Sequence, residues 1–591
     1  MSSSISSKIH EVTVGKLTFS SDFDSGNTCA VDYDAASNTY ILWMAHDCDG
    51  TQYESHFKAW FYFGVRGFTA DQKVTFAINN MGKQRQLFNV HKLRPVTRTI
   101  PDDPQWKRIE GRTILLRQGS KKDRNYELRW SYKSKYSSEA TVYFAMCYPF
   151  GYDDLQLYLE QLESICRGRV DLLTLTSTAD KITSEHESSS SSSKPIILLT
   201  ARVHPGETPG QFAMIGALNF ALSDDPRAAA LRSHYDLKFV PMINPDGVHM
   251  GNYRTNSRGI NLNRFYSDPG PDHEAVTAIV ELAEEYAQRD LLHLYVDLHA
   301  HANKTGCFLF GNALKSPIHN AWNTAFARVM AINSPYFDLN KCNFSAKNMS
   351  KRDKRISRES SYGAALGNLT GDGEQSNEVA HSENNEDDEG GDHAAAAVPS
   401  KEGCGRVAIH KLTGITHSYT LECSYARPTH TRSIPPIKNA TDDRVGIHNS
   451  GCLTNKAAVV NGFEPQHWAQ IGEALLVSSL DLFHHNCWTR VSNTPHITVA
   501  NILRGMIPRT VDVTDVAGPV EVSPGITLKQ LPSLEDVDGY ARPTSNCCCR
   551  SLKASTASLE QITQAREPIV RQYPKPGCFV GKMYKPPEHL R

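Results

Sequence analysis

Ile196-Ile-Leu-Leu-Thr-Ala-Arg-Val-His204-Pro-Gly-Glu207 is the stretch on which the reading of this chain turns. A short, continuous apolar run closed by a Pro-Gly turn is the pattern of a strand buried on both faces, as in a parallel sheet covered by helices. The run ends in a His and a Glu three residues apart. Both are metal-ligand types, and they sit at the carboxyl end of a strand, where α/β proteins place their sites. A His-x-x-Glu spacing is common by chance. A site therefore needs a third ligand, a base and a grip on substrate from elsewhere in the chain.

Downstream, the pattern alternates. Thr208–Leu222 predicts a helix, Lys238–Ile243 a buried strand, Asn244-Pro-Asp-Gly-Val a turn and His273–Arg289 a helix. Leu291–His299 predicts a third strand and Cys307–Phe310 a fourth. Strands alternating with helices indicate an α/β layer with a largely parallel sheet. His299 ends the third strand and supplies a third ligand type: two His and one carboxylate leave a fourth position open, as a catalytic zinc requires. Asp297 and His301 lie on the same side by alternation. Spacing does not choose among the three.

Upstream, residues 1 to about 150 read as short strands. They include Leu17–Ser20, Thr39–Met44, His56–Val65, Lys73–Ile78 and Thr141–Met146, and they predict an antiparallel sandwich. Asp153–Leu162 predicts an amphipathic helix with an acidic start. A Ser-rich loop at 183–194 reads as low-complexity and solvated, and a segment at 352–403 as a disordered acidic insertion, in which Glu386-Asp-Asp-Glu389 reads as a solvated charge run. Structure is expected to resume at Gly405–Ile409, with a strand at His417–Glu422 and a helix around Trp468–His485. Residues 491–591, with Cys547-Cys-Cys549, read as a mostly disordered tail. The expected domains are thus 1–150, 151–490 and that tail.

Bulk properties restrict the function. The 591 residues hold 63 basic and 64 acidic side chains, a net charge of −1, so nothing calls for nucleic acid or an anionic membrane. No apolar run reaches the roughly 18–20 residues of a membrane span. The first residues lack the apolar core of a signal peptide. Fourteen cysteines without framework spacing read as free thiols in a reducing compartment, and the expected location is the cytosol.

Five motifs in series carry a resemblance. They are His204-Pro-Gly-Glu207, Asn244-Pro-Asp-Gly-Val248, Tyr253-Arg-Thr-Asn-Ser-Arg-Gly-Ile-Asn-Leu-Asn-Arg264, Asp297-Leu-His-Ala-His301 and Ser418-Tyr-Thr-Leu-Glu422. In this order they resemble the zinc carboxypeptidases of the funnelin type, and more narrowly the cytosolic carboxypeptidase family, which removes glutamates from tubulin tails and other acidic C-termini. Phe19-Ser-Ser-Asp-Phe-Asp-Ser-Gly26 and Cys342-Asn-Phe-Ser345 are similar to the branch that takes branch-point glutamates.

The resemblance implies a carboxypeptidase-like α/β domain with a mixed sheet behind the β-sandwich. It implies one Zn2+ per chain held by His204, Glu207 and His299, the family's third ligand being the first His of Asp-Leu-His-x-His. It makes Glu422 the general base and Arg254 the partner of the oxyanion. Asn263 and Arg264 become the pair that holds the substrate's terminal carboxylate, and Arg406 the cation of the specificity pocket, with Lys401 and Lys411 as alternatives. Residues 401–411 contain no Tyr for the phenolic role known in digestive relatives. The implied partners are glutamylated tubulin tails and other acidic protein tails, in a cytoplasmic, microtubule-associated setting. A small-molecule deacylase of the aspartoacylase type and a non-catalytic tail binder are the competing readings.

Overall fold

The computed structural model describes residues 8–166, 173–175, 194–351, 400–437, 460–507, 521–523 and 526–527, with gaps at 83, 119–124, 137–138 and 271–272. The Ser-rich loop up to 193, residues 352–399 with their acidic run, and Cys547–Cys549 lie outside the described residues.

The N-terminal part holds eleven described strands: β1 (Val12–Val14), β2 (Leu17–Ser20), β3 (Ala30–Asp34), β4 (Thr39–Trp43), β5 (Tyr62–Arg66), β6 (Lys73–Ile78), β7 (Val96–Ile100), β8 (Asp103–Arg108), β9 (Ile114–Gln118), β10 (Asn125–Lys133) and β11 (Thr141–Ala145). They form two sheets, β1-β2-β5-β11-β7-β8 and β3-β4-β6-β10-β9. Aromatic side chains from the two sheets meet between them. Phe76 lies 4.9 Å from Phe144 and Tyr40 lies 5.2 Å from Phe19, ring centre to ring centre. This is a sandwich with an aromatic core.

Two details depart from the sequence expectation. β4 and β6 pair in parallel, because the chain crosses to the other sheet to lay down β5 between them. The expected strand at His56–Val65 pairs only from Tyr62. Phe57, Ala59, Trp60 and Phe61 are buried as loop, and the Trp60 indole donates to the Ser25 carbonyl.

The second part is built on a six-stranded mixed sheet in the order β12-β14-β13-β15-β17-β16. Its strands are β12 (Leu173–Leu175), β13 (Ile196–Ala201), β14 (Asp236–Val240), β15 (Leu292–His301), β16 (Cys307–Phe310) and β17 (Ser418–Ser424). The central pairs β14-β13, β13-β15 and β15-β17 are parallel, and the outer pairs are antiparallel. Helices follow the strands: α1 (Tyr152–Cys166), α2 (Thr208–Leu222), α3 (Pro226–His234), α4 (Pro245–His249), α5 (Glu274–Gln288), α6 (Pro317–Asn333), α7 (Gly405–Thr413) and α8 (Pro465–Leu482).

Alternation along the strands fills both faces. Ile197, Leu199, Val296, Leu298 and Leu421 pack in one core with residues of α2, α6 and α8. Ile196, Leu198, Leu292 and Tyr295 pack in the other with residues of α5 and α7. α2 and α8 approach through reciprocal glycines. A Cβ on Gly216 would overlap Ala469, and one on Gly472 would overlap the Ala213 carbonyl. Asn244-Pro-Asp-Gly-Val forms the short helix α4 where a turn is expected, with Asn244 Oδ1 accepting from the Gly247 N–H at 3.0 Å. Asn followed by Pro serves turn and helix cap alike, so residue type did not separate them. The start of the expected tail is folded: Val491, Val499, Ile502 and Leu503 are buried, and a short helix spans Val499–Arg504. Its apolar side chains join the core beside α6, so the folded region runs past residue 490.

Candidate metal centre and active site

β13 ends at Ala201, and the next residue, Arg202, takes a left-handed backbone (φ 61°). Few non-glycine residues adopt that conformation, and here the side chain fixes it. The buried guanidinium donates twice to the Pro205 carbonyl, at 2.9 and 2.6 Å, and once to the Phe150 carbonyl at 2.9 Å. The corner that carries His204 and Glu207 is thereby clamped. Gly206 lets the chain pass against Tyr253: a Cβ there would lie 2.7 Å from the Tyr253 ring, and the Gly206 N–H donates to the Tyr253 carbonyl at 2.9 Å. Glu207 stands at the N-cap of α2, yet its carboxylate makes no capping bond and turns to the site.

His204, Glu207 and His299 are buried together. His204 Nδ1 lies 2.9 Å from Glu207 Oε1, His299 Nδ1 lies 2.9 Å from Glu207 Oε2, and the two Nδ1 atoms are 3.2 Å apart. Among the described residues this is the only group of three His, Cys, Asp or Glu placed to hold a metal ion. The donor chemistry fits a divalent cation. His299 Nε2 faces Asp297 Oδ2 at 2.7 Å, and His204 Nε2 faces Asn261 Oδ1 at 3.1 Å. With these acceptors taking the Nε2 protons, both Nδ1 atoms face the Glu207 carboxylate, and positive charge between them, as a proton or a metal ion, satisfies all three groups. Burial alone would depress His299, but Asp297 and Glu207 overcome it and hold the imidazole well above its ordinary range. Burial and then Arg254 push His204 down to about 4. Burial opposes ionisation of Glu207, yet the two histidines hold it well below the usual carboxylate range.

Asp297 and His301, the alternatives to His299, take other places. Asp297 orients His299 and accepts from Thr200 Oγ1 at 2.9 Å. His301 Nδ1 accepts from the Asn303 N–H at 3.1 Å, outside the triad. Asn261 and the orienting part of Asp297 were missed in the sequence. The signal for Asn261 was its alternation with Asn263 in Ile260-Asn-Leu-Asn-Arg264.

Glu422 lies on β17 directly beside His299 of β15. Burial pushes its carboxyl up to about 7, with Glu207 adding to the rise and His299, Lys401 and Arg254 opposing it. Arg254 Nη1 is 3.8 Å from Glu207 Oε1, and its buried Nε has no hydrogen-bond partner among the described residues. Asn263 is buried, with Oδ1 accepting from the Gly405 N–H at 3.1 Å and Nδ2 3.4 Å from His299 Nε2. Arg264 Nη1 donates to the Asn263 carbonyl at 2.6 Å.

Arg406, near the start of α7, is 1% exposed. Its Nη1 donates to the Gly311 carbonyl at 2.5 Å and to Asn312 Oδ1 at 3.0 Å, and its Nε has no hydrogen-bond partner among the described residues. Lys401 Nζ donates to Asn348 Oδ1 at 3.2 Å and stands 5.0 Å over the Phe310 ring. Burial lowers the Lys401 ammonium, Glu422 opposes this, and Arg406 and Arg264 add to it, so these groups share one field. Lys411 pairs with Glu402 at 3.1 Å on an exposed face and is not part of that field.

Residues 168–328 match the family described as zinc carboxypeptidase, and residues 19–147 match the cytosolic carboxypeptidase N-terminal domain. This sheet and this ligand triad, taken with these matches, make the chain similar to the zinc carboxypeptidases and define a metallocarboxypeptidase. Its relatives by sequence include cytosolic carboxypeptidases. Cytosolic carboxypeptidase-like protein 5 of Danio rerio is 28% identical over 649 aligned positions, covering 83% of this chain and 67% of that protein. Cytosolic carboxypeptidase 6 of Caenorhabditis elegans is 35% identical over 321 positions, covering 51% of this chain and 66% of that protein. The fold is shared with a metallo-carboxypeptidase from Burkholderia cenocepacia, with a TM-score of 0.51 at 18% identity over 78% of this chain and 98% of that one. Among the described residues no helix is long and apolar enough to cross a membrane.

Proposed function

We propose that this metallocarboxypeptidase removes glutamate, C-terminal or at a branch point, from polyglutamylated protein tails, tubulin first. One zinc ion per chain would be held by His204, Glu207 and His299. Bound there, zinc polarises a scissile carbonyl and acidifies water. The chain's own residues do the rest. Glu422, raised toward neutrality by burial, accepts the proton of the attacking water and delivers it to the leaving nitrogen. Arg254 faces the oxygen on which negative charge develops. Arg264, with Asn263, pairs with the α-carboxylate of the residue to be removed, which restricts attack to a chain end.

The observation that carries the glutamate preference is the pair of cations beside the base. Arg406 is buried with an Nε that has no partner among the described residues, and Lys401 is coupled electrostatically to it and to Glu422. An acidic side chain entering this pocket gains charge-assisted hydrogen bonds that a neutral one does not. Glutamylated tubulin tails, and other acidic tails, present that chemistry in the cytoplasm and on microtubules. The test is mass spectrometry of branched and linear glutamylated tubulin peptides incubated with wild type and Glu422→Gln. Loss of glutamate from the wild type alone is expected. Product from Glu422→Gln at the wild-type rate would remove Glu422 as the base, and no glutamate released by wild type would remove the substrate.

A further inference from the structure

We infer that Asp47, in the N-terminal sandwich, is a positioning residue for Arg254, so that the active site is completed across the two parts of the chain. The inference rests on the reading of Arg254 as the oxyanion partner.

Asp47 lies in the loop between β4 and β5 and is fully buried. Its carboxylate is consumed by one short segment of the other part. Oδ1 accepts from the Tyr253 N–H at 2.6 Å. Oδ2 accepts from the N–H groups of Arg254 and Thr255 at 2.7 and 2.9 Å, and from Thr255 Oγ1 at 3.1 Å. Three successive N–H groups turned to one carboxylate form a nest, and that fixes the backbone dihedrals of the residues that make it. The direction in which Arg254 leaves the backbone is therefore set by Asp47.

The same loop supports the side chain as well. The Asp47 N–H donates to the Phe57 carbonyl at 2.8 Å, and the Phe57 ring lies 5.7 Å from the Arg254 guanidinium carbon. Neighbouring contacts hold the register. The Cys48 N–H donates to Asn252 Oδ1 at 3.1 Å, and Asn27 Nδ2 donates to the Gly251 carbonyl at 2.8 Å. From its far side the segment is tied to the metal corner by the Gly206–Tyr253 hydrogen bond. Residues 251–256 thus have the sandwich on one side and the ligands on the other. Asn263, Arg264 and Arg406 are held by other groups, the Gly405 N–H, the Asn263 carbonyl and the Gly311 carbonyl, so the grip on the substrate's end has its own supports.

The test is a double-mutant cycle on hydrolysis of a glutamate-terminated peptide, with zinc content and thermal unfolding recorded for every variant. In Asp47→Asn an amide N–H2 replaces one acceptor and faces backbone donors. Phe57→Leu leaves the carboxylate in place and removes the ring, and it carries the test if Asp47→Asn does not fold. Asp47→Asn should lower kcat roughly 100-fold with KM within about twofold, the signature of a misplaced transition-state group. Phe57→Leu should lower kcat about two- to fivefold, the size of a cation–π contact. In an Arg254→Ala background both losses should vanish. Losses that persist undiminished in that background, or a change confined to KM, would overturn the positioning role while leaving Arg254 intact. An Arg254→Ala enzyme with wild-type kcat would overturn the oxyanion reading itself, and with it this inference.

Discussion

Asp297→Asn isolates what a carboxylate contributes behind a metal-binding histidine. Asp297 is 1% exposed; Oδ2 meets His299 Nε2 at 2.7 Å and Oδ1 accepts from Thr200 Oγ1 at 2.9 Å. An amide of the same shape keeps an acceptor for His299 and can donate to the Thr200 hydroxyl, so the geometry survives and only the charge is lost. A hydrogen bond to a charged group contributes about 1.5–3 kcal/mol and a neutral one about 1, which leaves a deficit of about 0.5–2 kcal/mol. Zinc binding should weaken by about 2–30-fold. Asn261 supports His204 through a neutral bond at 3.1 Å, so Asn261→Ala should cost less, about 3–10-fold. Competition with a chromophoric chelator gives both constants, and unfolding of the zinc-free proteins separates folding from affinity. Equal affinity in Asp297→Asn and wild type, or a larger loss in Asn261→Ala, would refute the reasoning that charge at Nε2 sets ligand strength.

Three further outcomes follow from contacts elsewhere. Gly472→Ala should destabilise the fold by about 1–3 kcal/mol in urea, because the new Cβ meets the backbone oxygen of Ala213, which cannot give way. Helix propensity alone predicts a gain of about 1 kcal/mol, so a more stable variant would show that α2 and α8 can separate. The His234 and His485 rings stack at 3.9 Å and 11°. Burial, then His234 and His484, lowers His485 to about 4. Since its folded value lies below the ordinary one near 6.5, its contribution is present above pH 6.5 and is lost as pH falls through about 4. Solvent screening leaves roughly 1–2 kcal/mol. A melting curve series from pH 7 to 4 should slope less steeply for His485→Phe, and identical slopes would dismiss the stack as the acid-sensitive element. Lys401→Met should raise KM about tenfold or more for glutamate-terminated peptides and leave alanine-terminated ones within about twofold. A uniform change in both would mean that Lys401 does not read the side chain.

The ligand corner was legible because its information is local. An apolar run, a Pro-Gly break and two ligand types are adjacent, and His299 ends a strand of the same kind. Alternation also put Asp297 on the ligand side, but it could not distinguish a ligand from the group that orients one, since that depends on which imidazole nitrogen faces inward. What stayed hidden depends on contacts far apart in sequence. Asp47 and the backbone of Arg254 are 207 residues apart, and no periodicity joins them. Residues 56–61 read as strand because buried loop and buried strand share composition; Phe57, Ala59, Trp60 and Phe61 are buried without a ladder. Lys401 and Lys411 were indistinguishable as residue types, and only the pairing of Lys411 with Glu402 separates them.

The position of β17 sets an order of assembly. It lies between β15 and β16, although both precede it in the chain by more than a hundred residues. Until residues 418–424 emerge from the ribosome, no ladder joins those two strands, and the gap between them is where the base belongs. A nascent or truncated chain that stops before residue 418 already contains His204, Glu207 and His299 and has no Glu422. Such a chain carries the candidate metal triad without the carboxylate proposed as the base. Hydrolytic competence is thereby deferred until the sheet is whole.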